Sequence, residues 1–282
     1  MKSVNPEHRA VFIFLALLLV IGIFIYARTA GDHKTMYKQF YSTRGIPVLM
    51  YHKVNPDRKT GGLGLRVLPK DFDWQMDYLY KHGFHTVSLE DVIDYWHHKK
   101  PLPPNPIVIT FDDGYQDNYT YAFPILKKYH FTATIFVVVN SIGKTNFFDA
   151  DRKVQPVNKM LSLKQIKELN AYGITIGAHT MNHPHLAKIS LDQAREEIIN
   201  SKKALEKILG KPVLVFSYPY GSYDKNVEKI VKEAGYKAAV TTRQGINFPD
   251  SDPYALKRIR IMGMYSHRKF IYELNRYYKK RF

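Results

Sequence analysis

Two short stretches carry side chains whose types and spacing suit chemistry. "IVITFDDGYQDNY" (107–119) sets Asp112 and Asp113 side by side at the end of an apolar run of β-formers, with Gly114 permitting a tight exit. Adjacent carboxylates repel and neither favours a strand. Successive residues at a strand end point in different directions, so the two can serve different tasks. The alternative is a turn whose aspartate caps the following helix. "GAHTMNHPHL" (177–186) leaves another strand candidate and places His179 and His183 four residues apart, with His185 nearby. Two imidazoles so placed can converge on one cation, and imidazole suits zinc, nickel, iron or cobalt. A carboxylate from another strand end completes a three-ligand site with open positions for water and substrate, the layout of a catalytic metal. Asp113 is the candidate carboxylate, which leaves Asp112 unliganded beside it. Without such convergence the histidines are a solvated loop pair.

These residues need elements that bring them together. From Ile46 onward, short apolar runs alternate with amphipathic stretches. Strand candidates are 46–51, 84–88, 107–111, 132–138, 173–178, 213–218, 237–242 and 256–261; helical spacing marks 70–83, 119–130, 162–173, 190–210 and 226–236. Gly83, Gly173 and Gly210 close three of the helical stretches. Ser162 and Ser190 stand at N-cap positions, and Gln165 completes a capping box with Ser162. The proline-rich "KKPLPPNP" (99–106) stops a helix before the third strand. Such alternation argues for parallel βαβ units, hence an α/β fold. Seven or eight strands in a single domain of about 240 residues favour a distorted (β/α) barrel of about seven strands over an open sheet. In a barrel, functional residues gather at the C-terminal strand ends, where both motifs fall.

Composition limits the partners. The 282-residue chain has no cysteine, which excludes disulfides, thiolate metal sites and a cysteine nucleophile. Its formal charge of +17 points to an anionic environment: nucleic acid, phospholipid or a polyanionic wall. The uncharged apolar run "VFIFLALLLVIGIFIYA" (11–27) follows Lys2, His8 and Arg9. It reaches the lower limit of roughly 17 residues for a membrane span. A cleavage after Ala30 would put Arg28 at the −3 position, so an uncleaved signal-anchor is expected, with a cleaved signal peptide as the alternative. The expected organisation is a cytoplasmic flank (1–10), a transmembrane helix (11–27), a spacer (28–44) and one catalytic domain (45–282) outside the cell, in the membrane or secreted. No nucleic-acid partner is expected for an exported domain.

Over roughly residues 46–262 the chain resembles the polysaccharide deacetylases, carbohydrate esterase family 4. "TFDDG" (110–114) matches the family's first motif in full, and "HTMNH" (179–183) matches its HTxxH motif, in the family's order. The resemblance implies that Asp113, His179 and His183 hold a divalent metal, zinc foremost, with cobalt, nickel or iron also accommodated. It implies that Asp112 is the general base for the attacking water. "SYPYGSYD" (217–224) is similar to the third motif, which makes the Tyr220 backbone N–H the donor to the oxyanion, with Pro219 and Gly221 fixing the loop.

Two departures from the family pattern stand out. The place of the arginine that orients the base holds Ser217. Arg258 or Arg260, in "LKRIRI", reaches the base instead, or both are surface charges of an edge strand. No Leu-x-x-Leu-His pattern supplies the family's acid near the C-terminus; His267 is expected to be solvated, and His52, ending the first strand, is the better-placed candidate to line the site. "PVLMYH", "FSYPYG" and the missing fifth motif resemble the branch acting on poly-β-1,6-N-acetylglucosamine more than the peptidoglycan branch. Three readings follow: an N-deacetylase of an acetylated amino-sugar polysaccharide, an O-acetyl esterase on a neutral glycan such as xylan, and a silent membrane-anchored glycan-binding module. The membrane and anionic cell-wall polymers are the expected surroundings.

Overall fold

The structure is a computed structural model, which describes residues 45–98, 100–151 and 153–276. The apolar run 11–27 lies outside the described residues, and among those described no helix is long and apolar enough to cross a membrane. The strands are β1 (Val48–Tyr51), β2 (Lys53–Val54), β3 (Arg66–Val67), β4 (His85–Thr86), β5 (Pro106–Phe111), β6 (Thr134–Val137), β7 (Thr175–Ala178), β8 (Val215–Ser217), β9 (Ala238–Gln244) and β10 (Leu256–Arg260). Seven of them close a parallel ring: β5 to β10 pair in chain order, and β1 seals the gap by pairing with both β10 and β5. β4 adds to β5 outside the ring, and β2 with β3 forms a separate small pair. The expected barrel is present, and β10 is not an edge strand.

Helices α1 (Pro69–Lys81), α2 (Leu89–His98), α3 (Phe123–Lys128), α4 (Phe147–Ala150), α5 (Leu163–Tyr172), α6 (Leu191–Leu209), α7 (Lys225–Glu233) and α8 (His267–Arg276) complete the chain. α5 and α6 each start with a reciprocal capping box, Ser162 with Gln165 and Ser190 with Gln193, and each stops at a left-handed glycine. The stretch 119–130 is not one regular helix. Pro124 has no N–H to give and its ring would press on the carbonyl four residues back. The chain takes a wider turn over Asn118–Ala122, with the Phe123 N–H bonded to the Asn118 carbonyl, before α3.

Period-two alternation sorts the strand side chains. Leu49, Tyr51, Ile109, Phe111, Ile135, Val137, Ile176, Phe216 and Ile259 join the large cluster shared with the helices. Their neighbours Val48, Val108, Phe136, Val215 and Leu256 form a second cluster, the filling of the barrel. Gly177 makes room there: a Cβ on it would stand 2.5 Å from the Phe136 ring. α2 adds Leu89, Val92 and Ile93 to this inner cluster. Followed upward, the inward positions turn polar, through Thr110, Ser217 and Arg258 to His52, Asp112 and His179 at the C-terminal mouth.

Candidate active site

Asp112 continues the inward face of β5, two positions beyond Thr110. Arg258, on β10, is fully buried beneath it. Its guanidinium grips the carboxylate with two bonds, Nη1 to Oδ1 at 2.8 Å and Nη2 to Oδ2 at 2.6 Å. The remaining N–H groups go to the Thr241 carbonyl, Thr110 Oγ1 and Ser217 Oγ, so all five donors of the fork are used. Arg258 and Arg260 share the inward face of β10, which is paired on both edges, and Arg258, the deeper of the two, reaches Asp112. Arg260 instead donates to the Gly64 carbonyl. Ser217, where the family pattern has arginine, also contacts Asp112, Oγ to Oδ1 at 3.3 Å. Burial pushes the Asp112 pKa up, but the Arg258 charge and hydrogen bonds outweigh it and hold the carboxyl below its ordinary value.

Asp113 leaves the strand through a left-handed conformation, φ 75°, followed by Gly114 at φ 80°. The turn swings its carboxylate toward the β7 loop, away from Asp112's direction, and neither aspartate serves as a helix cap. Asp113 Oδ1 lies 3.4 Å from His179 Nε2 and 3.3 Å from His183 Nε2, and the two imidazole nitrogens are 3.2 Å apart. All three residues are buried. Burial would raise the Asp113 pKa, but hydrogen bonds from the two histidines hold it well below the carboxylate range. Three ligand atoms converge here, all within 4.8 Å of one another. Tetrahedral zinc ligands at about 2.0–2.1 Å from the ion stand roughly 3.3–3.4 Å from one another, so the trio fits a divalent cation. His179 Nδ1 is 2.7 Å from the Ser217 carbonyl, which fixes its ring with Nε2 toward Asp113. Thr180 and His183 both have left-handed backbones, φ 69° and 61°, conformations that cost on the order of 1–3 kcal/mol each and persist where neighbours enforce them.

The rest of the mouth is assembled from other loops. His52 Nε2 lies 4.0 Å from Asp112 Oδ2, with 15% of its side chain exposed. Burial lowers its pKa despite the nearby aspartates, which leaves a neutral imidazole at pH 7. Tyr220 sits in a left-handed turn (φ 58°) between Pro219 and Gly221, where a Cβ on Gly221 would strike Thr242 Oγ1. Its ring stacks on His185 at 4.0 Å and meets the edge of His183 at 4.5 Å. Its hydroxyl donates to Asp149 Oδ1 at 3.1 Å. Asp149, on α4, is a buried carboxylate that the sequence reading missed; "NFFDA" carries no motif that would mark it. Burial, and then the charge of Asp113, raise its pKa. His267 is exposed, as expected, and stacks face to face on Trp74 at 3.6 Å, away from Asp112.

Comparison with known proteins identifies the family. The sequence profile of the polysaccharide deacetylase family matches residues 99–239. The protein YxkH of Bacillus subtilis (strain 168) is 34% identical over 216 residues, 77% of this chain and 71% of that one. The poly-beta-1,6-N-acetyl-D-glucosamine N-deacetylase of a Staphylococcus epidermidis strain is 31% identical over 204 residues, 69% of this chain and 68% of its own length. Among solved structures, the Streptococcus pyogenes deacetylase PplD in complex with acetate superposes with a TM-score of 0.70 at 30% identity, covering 83% of this chain and 98% of that one. With barrel, motifs and buried Asp-His-His trio in agreement, the chain belongs to the polysaccharide deacetylase family, carbohydrate esterase family 4.

Proposed function

We propose that this polysaccharide deacetylase is a metal-dependent hydrolase that removes N-acetyl groups from an amino-sugar polymer outside the cytoplasm, with poly-β-1,6-N-acetylglucosamine as the preferred substrate class. The observation that carries the chemistry is an ionised, rigidly held Asp112 beside a separate Asp113–His179–His183 trio. We assign the trio as the ligands of one divalent ion, zinc foremost. Bound there, such an ion supplies Lewis acidity: it acidifies water and polarises an acyl oxygen.

The residues of the chain do the rest. Asp112, kept ionised by Arg258, takes a proton from the attacking water as the new C–O bond forms at the acetamide carbon. The Tyr220 backbone N–H is assigned to the oxyanion, and the Asp149 bond to the Tyr220 hydroxyl steadies its turn. When the C–N bond breaks, Asp112 returns the proton to the departing amine, leaving acetate and a free amino group. His52, neutral beside Asp112, orients groups in the mouth better than it donates a proton. The substrate class rests on the Staphylococcus relative and on "PVLMYH" and "FSYPYG". The membrane location rests on the apolar run 11–27, and the basic chain suits anionic wall polymers or headgroups.

Acetate release by the metal-loaded full chain should be fastest from β-1,6-linked N-acetylglucosamine oligomers, slower from chitooligosaccharides and absent from acetylated xylan. Release from xylan alone would replace the reading with an O-acetyl esterase, and no release from any of them would leave a glycan-binding module. In intact protoplasts, residues 46–282 should be open to protease while the chain fractionates with the membrane. A soluble secreted chain beginning near Gly31 would overturn the anchor.

A further inference from the structure

The residues between the two histidines are held from outside the mouth. On the flank of α6, the Glu197 carboxylate accepts three hydrogen bonds from this loop. Oε2 takes the backbone N–H of Met181 at 2.8 Å and of Asn182 at 2.9 Å, and Oε1 takes Asn182 Nδ2 at 2.6 Å. A second strap comes from the loop after β6: Asn140 Nδ2 donates to Asn182 Oδ1 at 2.7 Å, and its backbone N–H to the Met181 carbonyl at 3.0 Å. Within the loop, Thr180 Oγ1 accepts the His183 N–H at 2.8 Å. The left-handed Thr180 and His183 are therefore pinned at the two residues between them, and Glu197 makes three of the bonds that do it.

A glutamate halfway along an amphipathic helix is ordinarily a solvated charge. Here both of its oxygens are spent on backbone and side-chain N–H groups of one tight loop, and the loop's ends carry His179 Nε2 and His183 Nε2, 3.2 Å apart. Such a carboxylate acts through the ligands it does not touch. We propose that Glu197 is a positioning residue that fixes the separation of His179 and His183 and thereby sets the affinity of this chain for its cation. The proposal rests on the reading of the Asp113–His179–His183 trio as a metal site.

The test uses the full chain purified with detergent, stripped of metal and titrated with zinc against a chromophoric chelator. Glu197→Ala should weaken zinc binding about ten- to a hundred-fold, the range for outer partners of metal ligands. Glu197→Gln should fall in between, because one carboxamide oxygen can still accept the two backbone N–H groups. The metal-free variants should still unfold cooperatively, with a lowering of the unfolding temperature too small to account for the loss of affinity. Wild-type affinity in Glu197→Ala overturns the proposal, as does a loss of affinity that only follows a lower unfolding temperature. Should Glu197→Ala not fold, Glu197→Gln decides: intermediate affinity supports the proposal and wild-type affinity overturns it. A wild-type chain that holds no zinc fails the metal reading itself and takes this proposal with it.

Discussion

Asp112 is gripped by side chains that rise from the inner wall of the barrel, Arg258 from β10 and Ser217 from β8, whereas His179 and His183 hang on a loop beyond β7. The proposed base borrows its rigidity from the sheet. The proposed ligands borrow theirs from the bonds of Glu197 and Asn140 to Met181 and Asn182, and from the Ser217 carbonyl, which holds the His179 ring. The difference teaches that two adjacent carboxylates can fail independently. Damage to the wall should disable the base and spare the metal; damage to the loop should do the reverse.

The sharpest break comes from the carboxylates and histidines themselves. Asp113→Ala, His179→Ala and His183→Ala should each lose stoichiometric metal and all acetate release, since three ligands leave no redundancy. Asp112→Ala should keep the metal and lose on the order of a hundred- to ten-thousand-fold in turnover. Elemental analysis beside the acetate assay decides it, and metal lost from Asp112→Ala with metal kept by Asp113→Ala would reverse the roles. Arg258→Met should come next. It leaves Asp112 as an unpaired buried charge and should lower stability by about 3–5 kcal/mol in denaturant unfolding, with turnover reduced and metal retained. An unchanged unfolding midpoint would mean that the wall does not need the pair.

Smaller effects sharpen the picture at the rim. Tyr220→Phe keeps the backbone N–H and removes the bond to Asp149, a loss of about 0.5–1.5 kcal/mol, or roughly two- to tenfold in kcat/KM. A change in metal content would place this hydroxyl in the ligand half instead. The mildest concerns Asp117, which lies outside both halves and accepts bonds from Val54, Asn55 and Asn118. Burial pushes its pKa up to about 7 against those bonds. Between about pH 4 and 7 the native chain then holds a proton that the unfolded chain has lost, so this group's contribution to stability falls as pH rises through that window and stays level above it. Asp117→Asn should flatten that decline, with the melting temperature of the variant gaining on the wild type from pH 4 to 7. Parallel curves would show that Asp117 is ionised throughout.

The two halves differed equally in legibility. The ligand half is local: TFDDG and HTMNH are contiguous motifs at strand ends, and eight apolar runs were enough to place them on one rim. Capping boxes and C-terminal glycines were legible because they are short-range as well. Arg258 was not, because "LKRIRI" shows only that Arg258 and Arg260 share the face opposite Ile259 and Ile261. Whether that face is lumen or solvent depends on whether β10 finds a partner on both edges. Asp149 and Glu197 had still less to reveal them. Each looks like an ordinary surface acid until the Tyr220 turn or the 180–183 loop is folded against it.

The way the ring is sealed sets an order of events. Among the described residues β1 is the first strand synthesised, yet one of its two neighbours, β10, is the last. The pair that orients the proposed base spans 146 residues of chain, so Asp112 waits for Arg258 while about half of the 282 residues are made. Contacts of such long range form late, after the loop-closure entropy between them has been met. In a pulse-labelling hydrogen-exchange experiment, β1 amides facing β10 should gain protection together with those of β10 and not with β5 alone. A nascent chain that stops short of Leu256 would then carry the whole Asp113–His179–His183 trio but lack the guanidinium that grips Asp112, so the proposed base is the last part of the site to be set.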